Sequence, residues 1–184
     1  MRKRYVEILG LPSAGKTTLA ERLAAQGLGR RELIREAAES CPVTDKTSKE
    51  FNLWTAGWTL AQIAEALPRT SSLIVDRGML DALAWLEFHA NRSNAGHAAA
   101  QMINSVGALL QPSHEVFFIY LTVPFEVAVN RRGGDVGRIV NEDSWPAIQR
   151  AYLAVVEHMQ NVVPILTLDT RDKNPGEVSQ LVEE

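Results

Sequence analysis

The run Gly10-Leu11-Pro12-Ser13-Ala14-Gly15-Lys16-Thr17-Thr18 fits the phosphate-binding spacing G-x-x-x-x-G-K-[ST]. Gly10 and Gly15 can take backbone angles that a side chain forbids, so the loop can curl round an anion. Its backbone, from Gly10 through Pro12, Ser13, Ala14 and Gly15 to Thr18, is then a cradle for phosphate oxygens. The helix that opens after it adds partial positive charge at the same place. Lys16 supplies a cation for the β- and γ-phosphates of a nucleotide, and Thr17 a hydroxyl for Mg²⁺.

Two further stretches carry charge suited to the same chemistry. Leu73-Ile74-Val75-Asp76-Arg77-Gly78 is an apolar run ending in an acid, the pattern of a strand whose carboxylate, here Asp76, sits close to Mg²⁺. Arg77 beside it suits two-pronged contact with an anion or a carboxylate. Arg131-Arg132-Gly133-Gly134-Asp135-Val136-Gly137-Arg138 sets three arginines around glycines. Such a segment can close over a nucleotide and exclude water from a transferring phosphoryl group.

The elements that must position these groups alternate strand and helix, which implies an α/β fold with a parallel sheet. Strands are expected at Tyr5 to Leu9, Ser72 to Asp76, Glu115 to Val123 and Pro164 to Leu168. The segment from Arg31 to Glu36 is read as a short strand because a βα unit needs one there, although its composition suits a helix equally. Helices are expected at Lys16 to Ala25, Asn52 to Leu67, Leu80 to Ala90, Ala98 to Leu110, Pro124 to Arg131, Ser144 to Asn161 and Gly176 to Val182. Ligands of such sheets bind outside the carboxyl ends of the strands, where Gly10, Glu36, Asp76 and the segment from Asp169 to Lys173 converge.

The chain of 184 residues suffices for one domain, 1–184, with an arginine-rich lid at about 131–143. With 46% hydrophobic and 22% charged residues it reads as a soluble globule. A net charge of −3 gives no bulk attraction to nucleic acid or anionic membrane. The one cysteine, Cys41, excludes an internal disulfide and fits a reducing compartment. No apolar run is long enough to span a bilayer, so the expected location is cytoplasmic, without a membrane partner.

The order of motifs resembles the P-loop nucleoside and nucleotide kinases, the thymidylate kinases and deoxynucleoside kinases above all. The resemblance implies a three-layer α/β/α sandwich with a five-stranded parallel sheet of order 2-3-1-4-5. It implies ATP and Mg²⁺ as donor and cofactor, and a nucleoside or nucleotide-like acceptor. Gly10, Gly15, Lys16, Thr17 and Thr18 match the phosphate cradle, Asp76-Arg77 the Asp-Arg or Glu-Arg pair, and Arg131, Arg132 and Arg138 the lid arginines. Glu36 matches the acid that takes the proton of an attacking hydroxyl; Asp76 is the alternative base. The sequence departs from these families at Gly78, where they carry an aromatic residue or Ser.

On this reading Lys16, Glu36, Asp76, Arg77, Arg131 and Arg138 are catalytic candidates, and Thr17 and Asp76 hold metal. Arg132 joins the loop in binding the donor. The acceptor falls to Glu36, Phe51, Asn52, Trp54 and Arg77, with aromatic faces for a base and an amide for its edge. Trp58 stands in the same stretch, and Trp85 and Phe88 on the next helix could join them; for Trp85, Phe88, Trp54 and Phe51 the alternative is the core. The four histidines lack metal-ligand spacing. Two alternatives stay open. One is a kinase acting on a hydroxymethylated base in DNA, with basic segments at Met1 to Arg4 and Arg30-Arg31 tracking the backbone. The other is a nucleotide-hydrolysing switch without an acceptor. A homodimer is compatible with all three.

Overall fold

The computed structural model describes residues 3–26, 31–46, 48–90, 114–133 and 140–183. Its strands are β1 (Lys3–Gly10), β2 (Arg31–Ile34), β3 (Ser72–Asp76), β4 (His114–Thr122) and β5 (Ile165–Asp169). They pair in parallel as one sheet of order β2-β3-β1-β4-β5. Parallel neighbours require crossovers, and helices cover both faces. The helices are α1 (Lys16–Ala25), α2 (Lys49–Ala66), α3 (Met79–Ala90), α4 (Phe125–Arg131), α5 (Trp145–Met159) and α6 (Pro175–Glu183). Helices α1 and α6 pack together, as do α2 with α3 and α3 with α5. This is the three-layer sandwich expected from the sequence.

The core is richest around the central strands. Tyr5, Ile8 and Leu9 of β1, Leu73 and Val75 of β3 and Leu121 of β4 are fully buried. Burying a side chain of this size contributes about 1.5–3 kcal/mol, so the strand ends that carry the motifs sit on the firmest part of the molecule.

The segment after α1 is a strand, as the βα argument requires. Its four residues pair from Arg31 opposite Ser72 to Ile34 opposite Val75. Glu36 lies two residues beyond it, followed by a 3₁₀ turn, Ala37–Glu39, where no turn was expected. Helix α2 begins at Lys49 rather than Asn52, because the Ser48 hydroxyl accepts the Phe51 N–H at 3.1 Å and caps it. Ser144 does not cap α5 with its side chain; its hydroxyl accepts the Asn141 N–H instead. The helix expected from Ala98 to Leu110, and the lid residues from Gly134 to Arg138, lie outside the described residues.

Candidate active site

The phosphate loop bridges the end of β1 and the start of α1. Gly10, at φ +145°, lies so close to β4 that a Cβ there would meet the Leu121 carbonyl oxygen at 2.2 Å. Only glycine fits, and the Leu11 N–H then bonds that same carbonyl at 3.0 Å. Ser13 and Gly15 also have positive φ, at 61° and 93°. Such backbone points successive amides to one side and makes an anion-binding concavity. The Ser13 hydroxyl is buried there without a hydrogen-bond partner.

Lys16 is 3% exposed, and its ammonium donates to the carbonyls of Gly10 at 2.6 Å and Leu11 at 2.8 Å. Burial lowers it to about 7; Arg77 pushes the same way, while Asp81, Glu36 and Asp76 oppose. Asp76, at the tip of β3, hydrogen-bonds the Thr17 hydroxyl, and burial raises its carboxyl above the ordinary range. Its Oδ1 is buried with no partner. A hydroxyl and an under-coordinated carboxylate side by side fit Mg²⁺, which takes few protein ligands and otherwise water and phosphate oxygens. Among the described residues no cluster of three or more His, Cys, Asp or Glu could hold a metal by itself.

A cavity of about 520 Å³ opens over this loop, walled by Gly15, Lys16, Thr17, Arg131, Thr170 and Lys173, among others. The segment after β5 therefore borders the loop. Arg131 clamps it in place. Its guanidinium donates to the Ser13 carbonyl at 3.2 Å, to the Thr170 hydroxyl at 3.0 Å, and to the carbonyls of Thr170 and Arg171.

A second cavity, about 290 Å³, lies between the turn after β2 and helices α2 and α3. Phe51, Asn52, Thr55 and Thr59 line it from α2, and Trp85 from α3. Asn52 donates to the Ser48 carbonyl at 3.0 Å. Trp54 does not line this cavity. It stacks on Trp58, with centroids 5.4 Å apart and planes at 10°. Residues 51, 52, 55 and 59 share one side of the helix, and 54 and 58, four apart, take another. Phe88 packs edge-on to Trp85, away from the lining.

Arg77 stands between the two cavities. Its φ of +60° is rare for a residue with a side chain and costs about 1–3 kcal/mol. Its N–H bonds the Ile8 carbonyl at 3.0 Å. Its Nε lies 2.9 Å from Glu36 Oε2, an ion pair outside hydrogen-bond alignment, and a terminal nitrogen faces Asp81 Oδ2 at 3.4 Å. Burial disfavours the Arg77 charge, but Asp81 and Glu36 more than offset it and leave its pKa raised.

Three participants were missed from the sequence. Asp81 follows Arg77 by four residues, a spacing that marks neighbours on a helix. Tyr152 donates to Asp81 from α5 at 2.7 Å, and nothing local signals it. Glu7 interrupts an apolar central strand, and a buried carboxyl there must have partners. It accepts from Tyr5 at 2.7 Å and from the Leu80 N–H at 2.6 Å. It also explains Gly78, since a Cβ at that residue would meet the Glu7 carboxyl carbon at 2.3 Å.

The described basic residues near the chain start sit far from the site. Lys3 donates to the carbonyls of Leu67 and Pro68, and Arg4 pairs with Glu115 at 3.6 Å. Both lie at the opposite end of β1 from Gly10, about 20 Å away at strand rise. Met1, Arg2, Arg30 and Arg138 lie outside the described residues. Among the described residues, no helix is long and apolar enough to cross a membrane.

Solved structures share this architecture at low identity. Thymidylate kinase from Candida albicans superposes with a TM-score of 0.72 at 18% identity, over 99% of this chain and 90% of that one. Deoxyadenosine kinase from M. mycoides with bound dATP gives 0.72 at 19%, over 97% of each chain. The same enzyme with the products dCMP and dCDP gives 0.74 at 18%, over 97% and 96%. No curated protein matches in sequence. The family model described as AAA domain matches residues 5–166. The chain belongs to that AAA domain family and has the fold of the P-loop nucleoside and nucleotide kinases.

Proposed function

We propose that this chain is an ATP-dependent phosphotransferase that moves the γ-phosphoryl group of ATP to a nucleoside or nucleotide-like acceptor. One observation carries the reading: Glu36, Arg77 and Arg132 line both cavities. A donor held on the phosphate loop and an acceptor held between α2 and α3 would meet at these three side chains.

Each residue then has a part. Lys16 and the loop amides hold the donor phosphates, and Ser13 adds its unpartnered hydroxyl. Thr17 and Asp76 would hold Mg²⁺, which would supply positive charge to neutralise the phosphates. Phe51 and Asn52 offer an aromatic face and an amide to a base. Arg77 orients the acceptor. Glu36, about one-third exposed and at the border, takes the proton if the acceptor is a hydroxyl. Asp76 is worse placed for that task, with its carboxylate turned to Thr17. Arg132 is free of ion pairs among the described residues and faces the junction, so it can meet charge that develops in transfer. Transfer of this kind is mostly positioning plus electrostatics.

The test is a screen of radiolabelled ATP against nucleosides, nucleoside monophosphates and DNA carrying a hydroxymethylated base, with Lys16→Ala as control. Labelled nucleoside or nucleotide product, absent with the variant, supports the proposal. Label on DNA alone would replace the acceptor class. Phosphate release without any labelled acceptor would make the chain a hydrolase.

A further inference from the structure

Asp81 is a buried charge that touches both halves of the site. Its side chain is 4% exposed. Oδ1 accepts from the Tyr152 hydroxyl at 2.7 Å and from the Gly10 N–H at 3.3 Å, while Oδ2 faces Arg77 at 3.4 Å. The contacts continue on each side. The Gly10 carbonyl accepts from Lys16 at 2.6 Å, and Arg77 pairs with Glu36 at 2.9 Å. An unbroken series thus runs Glu36, Arg77, Asp81, Gly10, Lys16, from the border of the acceptor cavity to the floor of the donor cavity.

The carboxylate is itself held rigid. The Leu80 N–H, next in the chain, is bonded to Glu7 in the central strand, so the first turn of α3 cannot swing freely. Tyr152 fixes Asp81 from α5. Removing the carboxylate leaves the Gly10 N–H buried and unpaired, and releases one of the contacts that hold Arg77 in its strained backbone conformation.

We propose that Asp81 is a positioning residue that sets the phosphate loop and the acceptor-side guanidinium from one carboxylate, so that donor affinity depends on Arg77. This rests on the reading of the loop cavity as a nucleotide site.

The experiment measures Mg²⁺·ADP binding by calorimetry. The proteins are the wild type, Asp81→Ala, Asp81→Asn, Tyr152→Phe, Arg77→Gln and the double variant Arg77→Gln/Asp81→Asn. Asp81→Ala should weaken ADP by about tenfold, the scale of one buried donor left unpaired. Asp81→Asn should weaken it less, because an amide oxygen still accepts from Gly10 and Tyr152. The double variant should fall short of the sum of its parts, since both changes break one link. Partial recovery in Asp81→Asn of what Asp81→Ala loses, together with a double variant that is not additive, separates positioning from bulk stability, which would leave ADP affinity unmoved.

Binding within twofold of wild type in both Asp81 variants, or strict additivity in the double variant, overturns the proposal. So does a lowered melting temperature with unaltered affinity. If Asp81→Ala fails to fold, Asp81→Asn and Tyr152→Phe still decide it. Wild-type protein that binds no ADP overturns the nucleotide reading, and this inference with it.

Discussion

The two cavities meet at the same three side chains but are built on opposite plans. The proposed donor side is built on one stretch of main chain: nine consecutive residues whose positive φ angles at Ser13 and Gly15 aim amides inward, with one lysine beneath. The proposed acceptor side is assembled from many places in the chain: Pro12 of the loop, the turn after β2, helix α2, Arg77, helix α3 and Arg132 beyond α4. Main-chain recognition reads what all nucleotides share, their phosphates. Side-chain recognition reads what distinguishes one acceptor from another. The comparison teaches that damage to the first should be general and damage to the second selective.

The largest expected effect falls on the donor side. Lys16→Ala removes the one ammonium buried in the loop and should cut turnover on the order of 10³-fold with every acceptor, on the scale of a lost catalytic charge contact. Initial rates with two unlike acceptors check this. A loss confined to one acceptor would break the division between general and selective sides.

The two neighbouring arginines sharpen it. Arg132 lines both cavities, whereas Arg131 is held by Ser13, Thr170 and Arg171 and lines the donor cavity alone. Arg132→Ala should lower kcat about 100-fold and leave ADP affinity within about threefold. Arg131→Ala should do the reverse, weakening ADP about tenfold through the loosened clamp. Steady-state kinetics and calorimetry on the pair distinguish them, and matching profiles would remove the distinction.

This contrast also explains what could be read from the sequence. The phosphate loop and Asp76 were legible because each is one contiguous stretch whose residue types carry the chemistry. The strand pattern was legible for the same reason, and the order of the sheet came with the resemblance to kinases. Strand β2 was ambiguous because four residues are too few to show a period. Tyr152 escaped because its partner Asp81 lies 71 residues away, and the contacts of Asp81 with Gly10 and of Glu7 with Leu80, which tie them to the site, span 71 and 73 residues. Trp54 neighbours Phe51 and Asn52 in sequence, but helical rotation carries it to another side, onto Trp58.

That rotation yields a smaller prediction. Phe51→Ala should raise the acceptor KM about fivefold to tenfold, on the scale of one aromatic contact with its burial. Trp54→Ala should leave it within about twofold and lower the melting temperature slightly through its lost stack on Trp58. Equal rises in KM would place Trp54 in the acceptor site after all.

The smallest effect tests what supports both sides. Burial raises the Glu7 carboxyl to about 7, although Tyr5 and the N–H groups of Leu80 and Met79 pull it down. A folded value above the unfolded one means that the native state holds the proton more tightly. Stability from this group is therefore full below about 4.5, falls as pH rises toward about 7, and stays lost above it. Glu7→Gln resembles the protonated acid in shape and has no proton to lose. Between pH 5 and pH 8 its stability should gain on wild type by about 2 kcal/mol, or roughly 5 °C in melting temperature. Thermal melts of both proteins at the two values check this. Parallel pH dependence would mean that Glu7 is already ionised in the native protein, and that the start of α3 is held by a charge rather than by a neutral carboxyl.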